Sequence, residues 1–160
     1  MTIIERVDDV LLDLAGSANG KLRDWLDVDQ WTSARTLVRL YLALLVSSQF
    51  AMVLERGFAW GNMLILGMWI WHYATASAGI ERYARSPNGS SMARVAERPF
   101  RSAYPFLYAG LTLIVAMAGF SMSGFLMLAG WAAIISAHYL KAAELPPAAP
   151  RTDVRLAHAR

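Results

Sequence analysis

The sequence contains no cysteine among its 160 residues. This absence excludes disulfides, thiolate metal sites, iron–sulfur clusters and cysteine nucleophiles. Charge is also scarce, since charged residues form 17% of the chain, against roughly 25% in ordinary soluble domains. Two long stretches, residues 57–80 and 102–140, contain no Asp, Glu, Lys or Arg at all. Uncharged runs of this length match the hydrocarbon thickness of a bilayer and are too long for the core of a small soluble domain.

Hydrophobic residues make up 56% of the chain, and their distribution predicts an all-α polytopic membrane protein. We expect four transmembrane helices arranged as two hairpins, preceded by an amphipathic N-terminal helix. Tight turns are predicted at Glu55–Gly57 and Ser121–Gly124. The predicted regions are a cytoplasmic amphipathic or interfacial region at 1–35, a first transmembrane hairpin at 36–80, a basic cytoplasmic loop at 81–101, a second transmembrane hairpin at 102–140 and a disordered cytoplasmic tail at 141–160.

The cations predict the orientation in the membrane. If both tight turns lie outside, Arg56 is the only external cation, and the other 14 of the 15 Lys and Arg residues lie on the inner side. The positive-inside rule then places the N-terminus, the 81–101 loop and the C-terminus in the cytoplasm. Only two of the cations, Lys21 and Lys141, are lysines, a bias typical of GC-rich bacterial coding. We therefore expect a multi-pass protein of the bacterial inner (plasma) membrane.

Residues 1–15 have the periodicity of an amphipathic helix, and Gly16–Gly20 predicts its end. The polar side is acidic, with Arg6 as its only cation. An anionic lipid surface would repel such a helix, so we expect it to pack on protein: its own basic loop, a second copy or a partner subunit. The net charge of +3 is explained by topology, and no nucleic-acid binding is expected. The apolar side comprises Ile3, Val7, Val10 and Leu14, and the carboxylates are Glu5, Asp8, Asp9 and Asp13.

Two histidines, His72 and His138, are the only side chains in the sequence that resemble a site. Each lies on a span that runs inwards, at matched depth, and each is followed by a tyrosine. Two facing histidines could ligate a haem b through their axial nitrogens. The alternatives are an interfacial or packing role, or a proton relay. No metal site is expected, because two histidines without a nearby carboxylate coordinate zinc poorly.

The spacing of short motifs suggests that the two hairpins are a repeat. Leu40-Tyr41 precedes His72-Tyr73 by 32 residues, and Leu107-Tyr108 precedes His138-Tyr139 by 31. A duplicated helical hairpin would give this pattern, and so would chance. The fourth span also has a stripe of small residues, Ala129, Ala133 and Ala137, which favours close helix packing within the monomer or at an oligomer seam.

No catalytic carboxylate or nucleophile pattern appears in the spans, so no enzymatic activity is expected. The sequence favours a non-catalytic integral membrane protein, an accessory or scaffold subunit of a larger membrane assembly. Two alternatives stay open: a haem b electron carrier through His72 and His138, and a small transporter or holin-like pore. Transport paths are usually marked by intramembrane charges, and Arg39 is the only such charge within the predicted spans.

Overall fold

The structure, a computed structural model, describes residues 3–143 and is all-helical over that range. The predicted all-α class is thereby confirmed. Most of the predicted disordered tail, 141–160, lies outside the described residues, although Lys141 belongs to the last helix. The helices in chain order are α1 (Ile3–Leu26), α2 (Gln30–Arg56), α3 (Trp60–Ala84), α4 (Gly89–Ala96), α5 (Arg98–Met117) and α6 (Met122–Ala142).

Four of these helices, α2, α3, α5 and α6, are long and apolar enough to cross a membrane. They confirm the predicted number of spans. The first begins earlier than the predicted residue 36, because Asp29 caps it by accepting a hydrogen bond from the Thr32 N–H. Hydrogen bonding to Thr32 and the nearby charge of Arg35 together outweigh the effect of burial and hold the pKa of Asp29 below its ordinary value. The same helix ends at Gly57, whose φ of 85° suits a residue without a Cβ atom.

Helices α2 and α6 form the most extensive contact in the fold, and α3 packs on α2 while α5 packs on α6. Gly130 lets the central pair approach closely, since a Cβ atom there would lie 2.8 Å from Leu45 Cδ2. The predicted stripe is partly confirmed within the monomer: Ala133 and Ala137 are buried, whereas Ala129 is exposed. Close backbone approach of this kind is how small residues stabilise helix pairs in a bilayer.

The two ends of the bundle differ. Helices α1 and α4 both pack against α6, and Asn19 donates to the carbonyl of Leu140 with a nitrogen–oxygen distance of 3.0 Å. We call this the α1 end. At the opposite end, Glu55 accepts hydrogen bonds from the N–H and hydroxyl of Ser123 at 3.2 and 2.6 Å, which ties the end of α2 to the start of α6.

Two local predictions are wrong. Helix α1 continues to Leu26 through Gly16–Gly20, where the sequence predicts an end. Gly16, Asn19 and Gly20 are buried there, so tertiary contacts compensate for the poor helix propensity of glycine. The segment 81–101, predicted as a loop, is largely helical, since it holds the end of α3, all of α4 and the start of α5.

Candidate functional site

A polar cluster at the α1 end is built around His138. Its Nδ1 lies 2.7 Å from Glu97 Oε2, and its Nε2 lies 3.3 Å from the Tyr104 hydroxyl. The other carboxylate oxygen of Glu97 lies 2.7 Å from Lys141 Nζ. Glu97 occupies the single residue between α4 and α5, and His138 and Lys141 lie one turn apart on α6. The cluster therefore connects the α4–α5 junction to α6.

The electrostatics of Glu97 follow from these partners. Burial on its own would raise the pKa of the carboxyl, but the hydrogen bond from His138 and the Lys141 ammonium outweigh burial and lower it below its ordinary value. An ionised carboxylate only accepts hydrogen bonds, so His138 Nδ1 is the donor. In the neutral ring Nε2 is then an acceptor, and the Tyr104 hydroxyl donates to it. In the series Tyr104–His138–Glu97, each side chain therefore donates a hydrogen bond to the next.

A second tyrosine–histidine pair connects α2 to α3. The Tyr41 hydroxyl lies 2.8 Å from His72 Nδ1, and Tyr41 is fully buried. The indole of Trp131, on α6, packs against both rings, with centroid distances of 5.9 Å to His72 and 6.2 Å to Tyr41. Aromatic neighbours at such distances hold a side chain in one orientation. The His72 ring is therefore fixed in position.

The predicted repeat has a partial counterpart in these pairs. In the first pair, Tyr41 and His72 are the residues that the motif spacing singles out. The spacing predicts Tyr108 as the counterpart of Tyr41, but the partner of His138 is Tyr104, one helical turn earlier. The two pairs thus use the same chemistry in different registers.

Both histidines line one cavity of about 260 Å³ at the α1 end, between α3 and α5. Glu97, Lys141 and Tyr104 line it too, so both histidines, Tyr104 and the carboxylate face a common space. The apolar part of the wall comes from Ala76, Ala96 and Phe100. The structure therefore brings the two predicted site residues together, although they lie on different helices.

Haem ligation by His72 and His138 stays a prediction. It would require two changes in the structure. Both nitrogens of His138 already have partners, so iron ligation at Nε2 would displace Tyr104. The cavity is also smaller than the roughly 300–1,000 Å³ of pockets that enclose drug-sized ligands, so a porphyrin would need it to widen. Residues 3–143 hold no group of three or more His, Asp or Glu side chains suited to a metal ion.

Sequence reasoning missed Glu97, Tyr104 and Lys141. Two signals could have found the ion pair. Glu97 is the only carboxylate between residues 82 and 143, and Lys141 is one of two lysines in the chain. A single acidic residue in a long arginine-rich and apolar region needs a specific reason to be there, and a buried ion pair is such a reason.

A second buried ion pair joins α1 to α5. Arg101, 1% exposed, donates to both carboxylate oxygens of Asp8 at 3.2 and 3.3 Å and to the carbonyls of Ala93 and Arg94 at 3.3 and 2.9 Å. Its own carbonyl accepts from the Tyr139 hydroxyl at 3.3 Å. Every side of this guanidinium is therefore satisfied by protein, as a buried charge requires.

This ion pair sets which sides of α1 are exposed. Asp8, Leu12 and Asn19 lie on the side buried against the bundle. The side predicted to be apolar faces outwards, and its exposed members are Ile3, Val7, Val10 and Leu14. On a helical wheel of 100° per residue, this strip lies roughly opposite the buried side, about 150–170° away. The remaining side carries Asp9 and Asp13, which are exposed.

No protein family, curated protein or solved structure matches this chain. The geometry of the described residues is therefore the ground for the function proposed below.

Proposed function

We propose that the protein is a non-catalytic accessory or scaffold subunit of a larger membrane assembly. The observation that carries this proposal is the position of α1. The side that contains Asp8 is fixed to its own bundle by the Asp8–Arg101 ion pair, and its apolar strip of Ile3, Val7, Val10 and Leu14 is left outside. A helix held rigidly with an apolar strip outwards is suited to docking.

The occupant we propose for this strip is a different protein subunit. Helices that bind anionic lipid carry several Lys and Arg residues beside the apolar side, whereas within residues 3–15 this strip is bordered by Asp9 and Asp13 with Arg6 as the one cation beside them. Charge complementarity favours a partner with an apolar surface flanked by basic residues. A second copy of the chain would bring two acidic borders together.

The buried charges support a structural role. The fully buried charged side chains among residues 3–143 are Asp8, Arg101 and Lys141, and each is paired with an opposite charge. These pairs connect α1 and the α4–α5 junction to the spans. Transporters and pores use intramembrane charges along a path, but here the charges act as cross-links at one end of the bundle.

The orientation is part of the same proposal. The spans form two hairpins in a bacterial inner membrane, with the α1 end and both termini in the cytoplasm. In support, the arginines of the segment 81–101 lie at the α1 end together with Arg35 and Arg39, near the start of α2. Arg56 lies near the opposite end. This asymmetry is what the positive-inside rule requires.

Site-specific photo-crosslinking tests the proposal. A benzophenone amino acid at Val10 should give one discrete adduct with a second protein in native membranes, whereas the same probe at Leu64, an exposed residue near the start of α3, should not. Val10→Asp should abolish co-purification of that protein, and Asp13→Asn should weaken it, because it removes part of the acidic border. A Val10 probe that gives only the free chain, or an adduct of two copies, would overturn the proposal.

Haem b carriage is a second candidate, favoured only because His72 and His138 share one cavity. Purification from haem-replete cells tests it directly. A Soret band that is lost in His72→Ala would support it, and a featureless spectrum in the visible region would exclude it.

A further inference from the structure

The cavity between α3 and α5 has a mixed wall. His72, Tyr104 and Lys141 supply polar atoms from three different spans, and Ala76, Ala96 and Phe100 supply apolar surface. Its volume of about 260 Å³ lies below that of pockets for whole drug-sized ligands. A single substituted ring fits such a space better than a macrocycle.

The charge of the wall selects a neutral ligand. Lys141 is 2% exposed and is already paired with Glu97 at 2.7 Å. An anionic head group would have to displace this carboxylate from the ammonium, and a cationic one would meet the ammonium itself. Desolvating either charge without a free counter-charge is costly.

The hydrogen-bonding groups of the wall select oxygen acceptors. When Tyr41 donates to Nδ1 of His72, the ring proton lies on Nε2 and is available as a donor. The Tyr104 hydroxyl lies 3.3 Å from His138, a long bond that a better acceptor could replace. A ring with carbonyl or hydroxyl oxygens on both sides would match donors on α3 and α5.

A lateral route to the cavity would lie between α3 and α5, which both line it. Helices α3 and α5 flank the central pair α2–α6 and present exposed apolar side chains along their length, among them Leu64, Met68, Leu113 and Ile114. Lipid tails would cover these side chains in a bilayer. A ligand whose head group occupies the cavity can therefore leave an apolar tail between the two helices.

We propose that this cavity binds the head group of an isoprenoid quinone or its quinol, a neutral membrane-soluble ring with two oxygen substituents and an apolar tail. The proposal goes beyond a scaffold role and does not depend on it. Tyr104 and His72 would hold the ring oxygens, and Phe100 would pack against the ring. Only binding is proposed, with no electron transfer.

The test uses the full chain in nanodiscs of phosphatidylcholine, titrated with ubiquinone-1 by calorimetry. We expect saturable binding that Tyr104→Phe weakens about threefold to tenfold, the range for one hydrogen bond to a ligand. Ala96→Trp, which fills the cavity with a large side chain, should abolish binding. The matched control is Tyr108→Phe, one turn further along α5, which should bind like the native chain.

Three results would overturn the proposal. The first is the lack of saturable binding to the native chain. The second is native affinity in Tyr104→Phe and in folded Ala96→Trp. The third is displacement of ubiquinone-1 by phosphatidylglycerol in the nanodisc, because the site would then prefer an anionic head group. None of these results bears on crosslinking at Val10, so failure of the quinone site is distinguishable from failure of the scaffold role.

Discussion

Asp8 and Arg101 lie 93 positions apart in the sequence and form a buried bidentate ion pair, with side chains 8% and 1% exposed. This pair holds the N-terminal helix on the bundle and turns the apolar strip of α1 outwards. A second, exposed pair joins the same two regions, with Arg98 Nη2 lying 2.8 Å from Glu5 Oε1. The two pairs differ mainly in burial, and this difference allows a controlled comparison.

Asp8→Asn should destabilise the protein strongly. It leaves the Arg101 guanidinium buried without a counter-charge, and breaking a buried pair in this way costs about 3–5 kcal/mol. We expect a large fall in the melting temperature in detergent and faster proteolysis near Lys21 and Arg23 on α1. Glu5→Gln is the control, since an exposed pair contributes at most about 1 kcal/mol. Equal effects of the two substitutions would contradict the role given to Asp8.

The lowered pKa of Glu97 predicts that the stability of the protein depends on pH. Its native pKa lies below the ordinary value of 4.5, so its ionised form favours the native state. This contribution is complete above the unfolded pKa and is lost as the pH falls through the native pKa. Glu97→Gln should therefore have a lower melting temperature than the native protein at pH 7. The difference between the two melting temperatures should narrow below about pH 4.5. A difference that stays constant down to pH 3 would contradict this assignment.

Gly130→Ala should weaken the central helix pair. The new methyl group would overlap the side chain of the fully buried Leu45, whose Cδ2 and Cγ lie 2.8 and 3.1 Å from the Cβ position, and such overpacking costs about 1–3 kcal/mol. Gly67→Ala on α3 is the matched control, because nothing lies within 4 Å of its Cβ position. The stability of the control should increase by up to about 1 kcal/mol, because alanine has a higher helix propensity than glycine. Thermal unfolding in one detergent compares the two, and an equal gain in both would be inconsistent with close packing at Gly130.

Gln49→Leu should stabilise the protein. Gln49 is buried, and neither atom of its amide group has a hydrogen-bond partner among residues 3–143. An unsatisfied buried amide costs about 1–3 kcal/mol, and leucine removes that cost at similar volume. Its neighbour Ser48 donates to the Ser123 carbonyl at 2.8 Å, so Ser48→Ala should lower stability by about 1 kcal/mol. A lower melting temperature in Gln49→Leu would show that the amide has a partner outside these residues.

The four candidate spans could be predicted because each depends on a local property, a largely apolar run of bilayer length. The end of α1 could not be predicted, because Asn19 stabilises helix there through a carbonyl at Leu140, and the glycines beside it pack closely. Tertiary contacts of this kind override local propensity. The arrangement of α4 depends likewise on the backbone of Tyr83, against which Gly89 packs.

The site was predictable only in part, for a similar reason. His72 and His138 stand out as rare polar residues on apolar helices, and the structure places both in one cavity. Glu97 lies 41 residues from His138, and no local pattern indicates that the two side chains meet. Periodicity could show the amphipathic character of residues 1–15, but it could not show which side packs on the bundle, because that is decided by Arg101.

The proposed orientation can be measured directly, because the chain has no cysteine and any introduced thiol is unique. Single cysteines at Gly57, Met122 and Ser90 would be treated in intact cells with a membrane-impermeant maleimide. Labelling of the first two, with Ser90→Cys reacting only after the cells are opened, is the expected result. Labelling of Ser90→Cys in intact cells, or the same accessibility at all three positions, would contradict a four-span protein with its α1 end in the cytoplasm.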